Sequence, residues 1–298
     1  MARIPVEKTI SDAYGFLFKN ILSIIGIVWL PYVVFGGIAG ALLWYALGNV
    51  SFAALNFQPD HFNIAPLVVL FRLAPAIVFC FILAVLIATV GLTRKALGLM
   101  EGPTFFFFTL GAPVWRLLGA IILLELIAAG VAGIFALVAI AWVKLGVPHV
   151  SQPVGALVSV IGVTAMVCWF IYMLVRLFFF VPAVVVAEEK IGLGRSWQLG
   201  GGNFWRMVLV LLMVILPPAI VLGLVQNVVT TILVGPMPLF VGPHSDPKVF
   251  FETLRAFFIR IGPAVVVMQV IIAIVTRALY AGAVANAYRG VTAAAPAE

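Results

Sequence analysis

Long apolar stretches alternate with short polar segments along this chain. A transmembrane helix needs roughly 20 apolar residues at about 1.5 Å of rise per residue. Six stretches qualify, and they predict an all-α, polytopic integral membrane protein with six transmembrane helices. These stretches cover about residues 21–47, 75–92, 117–143, 154–175, 207–233 and 263–278.

Shorter helices are predicted at the membrane surface, between the apolar stretches. Residues 9–20 indicate an N-terminal interfacial helix, because Thr9–Asp12 fits a capping box and the aromatic residues that follow can share an apolar face. A similar interfacial piece is predicted before the third span, where residues 105–108 are all phenylalanine and precede Trp115 and Arg116.

Residues 176–206 predict a structured turn between the fourth and fifth spans. Pro182 should break the helix that enters the turn, and Gly200–Gly202 should end a short helix that carries Trp197. Asn203 is then a good N-cap for the fifth span, because its side chain can accept from free backbone N–H groups. The rest of the chain can be organised around this turn.

Two short sequence patterns recur along the chain. Leu-Gly, a short spacer and Trp-Arg precede an apolar run at residues 110–116 and again at residues 199–206. An apolar residue, Arg, two residues and Pro-Ala open the second span at 71–76 and the sixth at 259–264. A short outer helix over 247–260 should precede the sixth span, because Asp-Pro supplies an N-cap and a first helical residue. These patterns predict three helical hairpins.

The composition indicates that the main solvent of this protein is lipid. Of its 298 residues, 65% are hydrophobic and only 9% are charged, whereas about a quarter of the residues in a soluble domain are charged. The formal net charge is +7, but the basic residues are single and flank apolar spans, which argues against nucleic-acid binding. Cys80 and Cys168 fall inside apolar spans, so neither a disulfide framework nor a cysteine metal site is expected.

The distribution of basic residues predicts the orientation in the membrane. With the N-terminus inside, twelve Lys and Arg residues lie in inner segments and five in outer segments. Positive charge accumulates on the cytoplasmic side, so both termini are expected in the cytoplasm. The predicted organisation is an interfacial helix at 1–20, a six-span domain at 21–290 and a flexible tail at 291–298.

The turn resembles a segment of a known bacterial family. An arginine, an aromatic run, Pro-Ala, an acidic residue, Gly-Leu-Gly-Arg-Ser-Trp-x-Leu and Gly-x-Phe-Trp-Arg follow one another within residues 176–206. This pattern is similar to the six-span membrane domain that some glycerophosphodiester phosphodiesterases carry, and to related stand-alone proteins. The resemblance implies a bacterial inner-membrane protein of this design without the hydrolase domain, so no phosphodiesterase activity is expected. The matching positions are Arg176, Pro182, Glu188, Gly192, Ser196, Leu199, Gly202 and Trp205.

Glu125 is the most informative single residue for chemistry. It lies inside the third span, about 12 Å along a helix from Leu117, where a carboxylate in lipid is costly. It is therefore expected to face other helices and to form an intramembrane charge network with arginines near the cytoplasmic ends of the even spans. An ion pair that fixes helix packing is favoured over a proton or ion site of a carrier. The candidate arginines are Arg94, Arg176 and Arg277.

Other candidate sites have simpler structural explanations. Glu188 and Glu189 are adjacent and would not face the same way on a helix, which favours a salt-bridged or solvated turn over a metal pair. His61, His149 and His244 fall one per outer loop without ligand-type spacing. Neither a metal nor a cofactor is therefore predicted.

Two features of the spans bear on assembly and motion. Gly36, Gly37 and Gly40 permit close helix contact, either within the chain or in a dimer. Pro217 and Pro218 are expected to break the fifth helix, as a hinge or as the edge of a cavity.

Two functions from different classes are compatible with these features. The favoured one is a non-enzymatic scaffold or accessory subunit that binds membrane lipids, a membrane protein partner or a second copy of itself. The alternative is a small-molecule or lipid transporter that uses Glu125. An intramembrane enzyme is not expected, because the spans show no clustered nucleophiles or metal ligands. The predicted binding positions combine basic and aromatic side chains at the inner rim: Trp115, Arg116, Arg195, Trp197, Trp205 and Arg206.

Overall fold

The computed structural model describes residues 3–49, 68–146, 150–234 and 247–293. α4 continues into one π-helical turn, Trp142–Gly146. In chain order the helices are α1 (Val6–Lys19), α2 (Ile21–Gly48), α3 (Val68–Ala96), α4 (Ala112–Ala141), α5 (Gln152–Phe178), α6 (Val181–Ala187), α7 (Leu193–Leu199), α8 (Phe204–Val234) and α9 (Pro247–Ala293).

The described residues contain six helical segments that are long and apolar enough to cross a membrane. α2 packs against α3, α4 against α5, and α8 against α9, which is the predicted set of three hairpins. The fourth of these segments runs over Gln152–Ala187, because the short α6 continues from α5 after a break. The all-α, multi-pass class of membrane protein is therefore confirmed.

The buried core is concentrated at one end of the bundle. Its centre is α6, in which every residue from Val181 to Val186 is buried. The helices α3, α4, α5, α7 and α9 all contact α6, and α1 packs on α9 beside them. We call this region the packed end; it comprises α1, α6, α7, the starts of α2, α4 and α8, and the ends of α3 and α9.

The opposite half of the bundle, which we call the open end, is loosely packed. It comprises the second halves of α2, α4 and α8 and the first halves of α3 and α5. Only 6% of the most apolar stretch of α4 and 11% of that of α8 are buried, against 50% for the corresponding stretch within α5 and α6. Large apolar side chains on these helices therefore face outward, as suits contact with lipid or with other membrane helices.

α1 begins earlier than the predicted interfacial helix. It starts at Val6 with Pro5 as its N-cap residue, so residues 9–12 lie inside the helix and the predicted capping box is wrong. Pro5 lies outside the helix and has no N–H that would need a partner there. One face of α1 is buried and packs against α9 at Gly282. The buried residues of that face are Thr9, Ala13 and Leu17.

The phenylalanine run before α4 forms an extended segment, so the predicted interfacial helix at this place is wrong. Phe107 is buried, whereas Phe106 and Phe108 on either side of it are exposed. The segment follows α2 from Ser23, which bonds to Thr104, to Phe35, whose ring stacks on Phe108. Lys95 Nζ donates to the carbonyl of Gly102 and so holds the start of the segment near the end of α3.

The extended segment lies directly against α2. The backbone N–H of Thr104 donates to Ser23 Oγ at 3.2 Å, and Trp29 Nε1 donates to the carbonyl of Phe105 at 3.1 Å. Between these two contacts is Gly26, where an added Cβ would lie 2.2 Å from the carbonyl oxygen of Thr104. The missing side chain of Gly26 therefore makes room for the segment.

Two further expectations about helix breaks are wrong. α8 continues through Pro217 and Pro218 as one helix. Prolines inside apolar spans are tolerated where neighbouring groups satisfy the backbone groups that they release. α9 is also a single helix, so no separate outer helix forms over residues 247–260.

The tight contact at Gly26 gives a prediction about stability. We expect Gly26→Ala to destabilise the protein by about 1–3 kcal/mol, because the new methyl group meets backbone atoms that have little freedom to move. The measurement is thermal unfolding in detergent micelles. Gly37→Ala is the matched control on the same helix, since an added Cβ there meets no atom within 4 Å. Equal melting temperatures for the two variants would contradict this account of the extended segment.

Candidate functional site

A serine hydroxyl closes a break between α5 and α6. In a continuous helix the N–H of Phe180 would donate to the carbonyl of Arg176, four residues earlier. Here Ser196 Oγ lies between them, accepting from Phe180 N–H at 3.2 Å and donating to the Arg176 carbonyl at 3.2 Å. Pro182, in the first turn of α6, removes a further donor and favours the break. A side chain inserted in this way is an established cause of sharp helix kinks.

Arg176 fastens α7 against the end of α5. Its guanidinium carbon lies 3.9 Å from the ring centre of Trp197, a cation–π contact. Its Nε donates to the carbonyl of Trp197 at 3.1 Å, and one terminal nitrogen donates to the hydroxyl of Tyr172 at 2.6 Å. Arg176 is therefore engaged within the turn, and the predicted pairing with Glu125 is wrong.

The two adjacent glutamates of the turn serve different partners. Glu188 Oε1 accepts from Arg195 Nε at 3.2 Å and from the hydroxyl of Tyr288 at 2.9 Å. Glu189 Oε2 pairs with a terminal nitrogen of Arg116 at 3.1 Å. The pair thus connects α7, α9 and α4 instead of converging on a metal, which agrees with the salt-bridged turn that we favoured.

Gly192 allows the chain to turn from α6 into α7. Its φ of +66° lies in the left-handed region, and an added Cβ would be 2.5 Å from Cγ1 of Val184 in α6. Both observations require glycine at this position. α7 then buries Leu193, Ser196 and Leu199 on one face, which directs the Ser196 hydroxyl into the break.

The N-terminal segment is tied to the start of α8. The backbone N–H of Ile4 donates to Asn203 Oδ1 at 3.1 Å, and a terminal nitrogen of Arg206 donates to the carbonyl of Ile4 at 3.2 Å. Ile4 and Asn203 are both buried. Asn203, the residue expected to cap α8, therefore also accepts a hydrogen bond from a segment almost two hundred residues earlier in the chain. Nearby, the hydroxyl of Tyr14 donates to the carbonyl of Met213, and burial raises the pKa of Tyr14.

The tryptophans of the two repeated Trp-Arg pairs point outward. Trp115 is 48% exposed and Trp205 is 78% exposed. Both lie in the first turns of their helices, α4 and α8, at the packed end. Their neighbours Arg116 and Arg206 are held by internal partners. Of the six predicted rim positions, Trp115 and Trp205 are therefore exposed rings, and Trp197 lies against Arg176. Arg116 and Arg195 pair with the glutamates of the turn, whereas Arg206 holds the N-terminal segment.

Glu125 does not occupy the predicted place. It is exposed on α4 and has neither an ion pair nor a hydrogen bond with any residue that the structure describes. The buried face of α4 follows Leu117, Ala120, Leu124 and Ala128, and one further residue turns the helix by about 100° away from that face. The expected charge network is therefore not formed. The sequence did not reveal this, because the apolar α4 gives little indication of which face packs inward.

The remaining arginines of the expected network also lie apart from Glu125. Arg277 Nε donates to the hydroxyl of Tyr32 at 2.9 Å and so joins α9 to α2. The side chain of Arg94 has no hydrogen-bond or ion-pair partner among the described residues. The two arginines therefore leave Glu125 without a counter-ion in the part of the chain that the structure covers.

Sequence reasoning missed several residues that carry these contacts. The sequence identifies Ser196 only as a position of the family pattern, although a serine shortly after a proline-broken helix can replace a lost backbone hydrogen bond. The tyrosines 32, 172 and 288, which hold Arg277, Arg176 and Glu188, gave no sequence signal. His61, His149 and His244 lie outside the described residues, and the described residues contain no cluster of three metal-ligating side chains.

Comparisons with known proteins give no relative for this chain. No family model, no curated protein and no solved structure matches it. The resemblance of residues 176–206 to the membrane domain of glycerophosphodiester phosphodiesterases therefore stays a prediction.

The bridging role of Ser196 gives a sharp prediction. We expect Ser196→Ala to destabilise the protein by about 1–3 kcal/mol, because a buried N–H and a buried carbonyl both lose their partner. The measurement is thermal or denaturant unfolding of the purified protein in micelles. Ser11→Ala, at an exposed position of α1, is the control and should change stability by less than about 0.5 kcal/mol. A Ser196→Ala variant as stable as the control would rule out the bridge.

The two glutamates should differ in energetic importance. The side chain of Glu189 is 74% exposed, so its coupling to Arg116 in a double-mutant cycle should stay below about 1 kcal/mol. The side chain of Glu188 is only 24% exposed and accepts two hydrogen bonds, so its coupling to Tyr288 should reach about 1–2 kcal/mol. The variants are Arg116→Ala with Glu189→Ala, and Tyr288→Phe with Glu188→Ala. A larger coupling for the Glu189 pair would contradict the structure.

Proposed function

We propose that this chain is a non-enzymatic scaffold or accessory protein of a bacterial inner membrane, with both termini in the cytoplasm. Its packed end lies at the cytoplasmic membrane surface and binds membrane lipids, together with a membrane protein partner. The chain resembles a family with this design, and the excess of basic residues on the inner segments supports the orientation.

One observation carries the proposal: the exposed rings of Trp115 and Trp205 stand beside arginines that are already engaged inside the protein. Tryptophan is favoured at the boundary between headgroups and hydrocarbon, where its ring is half in lipid and its N–H reaches polar groups. The neighbouring arginines, each with one hydrogen-bonded terminal nitrogen, retain guanidinium donors for phosphate oxygens. A fixed pair of interfacial rings at the starts of α4 and α8 suits anchoring and lipid binding.

The transport alternative gains no support from the described residues. It would use Glu125 and a cavity near Pro217–Pro218. Glu125 lies instead on an exposed helix face, and α8 continues through both prolines. We therefore retain the scaffold as the proposed function.

The test is lipid retention by the purified protein. Native mass spectrometry with added phosphatidylglycerol should show roughly tenfold weaker lipid binding by a Trp115→Ala/Trp205→Ala double variant, since each ring contributes both apolar area and a polar contact. Neither substitution removes a side chain that supports the turn, so the fold should be unaffected.

Trp169→Ala is the matched control for this test. The exposed fraction of Trp169, 49%, is nearly the same as that of Trp115. Trp169 lies within α5, however, and packs edge-on against Phe135 of α4. Its loss should leave binding of lipid headgroups unchanged. The proposal fails if the double variant retains phosphatidylglycerol like the unaltered protein, or if Trp169→Ala loses as much.

A further inference from the structure

Glu125 is the single charged residue between Arg116 and Lys144 on α4. By helix rise it lies roughly 13 Å from Arg116 and roughly 28 Å from Lys144. Those two basic residues bracket the apolar stretch of the span, which places Glu125 within the hydrocarbon layer. An exposed carboxyl group at this depth is unfavourable unless another polar group covers it.

The residues around Glu125 form a face that another helix can approach closely. Glu125 shares this face with small or aliphatic side chains at helical spacing, and all of them are exposed. An added Cβ on Gly133 would meet no atom within 4 Å, so no part of the described chain covers this face there. Small residues four apart favour tight packing of membrane helices. The α4 face comprises Ile122, Glu125, Ala129, Gly133 and Ala136.

We propose that this α4 face binds the same face of a second copy of this chain, so that the two Glu125 carboxyl groups hydrogen-bond to each other. A two-fold axis along the membrane normal brings identical residues together at identical depth. A carboxyl group is self-complementary, because its protonated form donates and either form accepts. A second copy therefore supplies, by symmetry, the polar group that the described part of the chain does not offer to Glu125.

The proposed interface and the rim that carries the proposed function lie at different depths, although Trp115 is on the same side of α4 as Ile122, seven residues before it. Trp115 and Trp205 lie at the packed end, whereas the α4 face extends from Ile122 towards the open end. Loss of lipid retention without loss of the dimer, or the reverse, therefore distinguishes failure of one proposal from failure of the other.

Disulfide cross-linking of the full chain in lipid nanodiscs tests the geometry. Cys80→Ser and Cys168→Ser give a background without native thiols, and Ala129→Cys places one thiol a helical turn from Glu125 on the proposed interface. Oxidation should convert most of this variant to a covalent dimer, because equivalent residues near a two-fold axis approach within disulfide distance. Ile134→Cys, exposed on the other side of α4, is the control and should remain monomeric.

The role of the carboxyl group is tested by the dimer content of the native-cysteine protein, measured by mass photometry in nanodiscs over a range of protein-to-lipid ratios. Glu125→Leu keeps a similar size without hydrogen bonding and should weaken dimerisation roughly tenfold. Glu125→Gln retains a self-complementary amide and should keep the dimer.

The outcomes separate cleanly. Dimers of the unaltered protein, selective cross-linking at Ala129→Cys, and rescue by Glu125→Gln together support the proposal. A monomeric protein, equal cross-linking at Ile134→Cys, or an unchanged dimer in Glu125→Leu would overturn it. A monomeric protein would indicate that a different membrane protein contacts Glu125.

Discussion

The structure depends on one interrupted backbone hydrogen bond. Ser196 Oγ stands between the N–H of Phe180 and the carbonyl of Arg176, so both backbone groups stay satisfied although the helix is interrupted there. The break separates α6 from α5, and all residues of α6 from Val181 to Val186 are buried among the other helices. Burial of this short helix costs less free energy because Ser196 satisfies two backbone groups at its broken end.

The charged residues near the break between α5 and α6 stabilise it from the outside. Arg176 stacks on Trp197, and Glu188 and Glu189 connect the turn to α9 and α4. Arg116 and Arg195, which sequence alone assigned to lipid binding, each pair with one of these glutamates, whereas the rings of Trp115 and Trp205 stay exposed. The motif is therefore mainly a structural element, and the surface that we propose for function lies in the exposed aromatic side chains around it and in the exposed helix faces.

Whether the sequence predicts a structural feature depends on the physical cause of that feature. Span number and hairpin order follow from apolar length and basic flanks, which lipid imposes directly. The break at Pro182 and the glycine end of α7 follow from local chemistry and were also predictable. The inward face of α4 was not, because a helix that is apolar all round has no strong periodicity. The extended phenylalanine segment depends on Gly26, a contact distant in sequence that no local pattern reveals.

The most direct test is an experimental structure in lipid nanodiscs, inspected at the junction of α5 and α6. The account predicts Ser196 Oγ within hydrogen-bonding distance of both the Phe180 nitrogen and the Arg176 oxygen, with α6 surrounded by α3, α4 and α9. A continuous helix through residues 176–187, with Phe180 N–H bonded to the Arg176 carbonyl and Ser196 facing elsewhere, would contradict it.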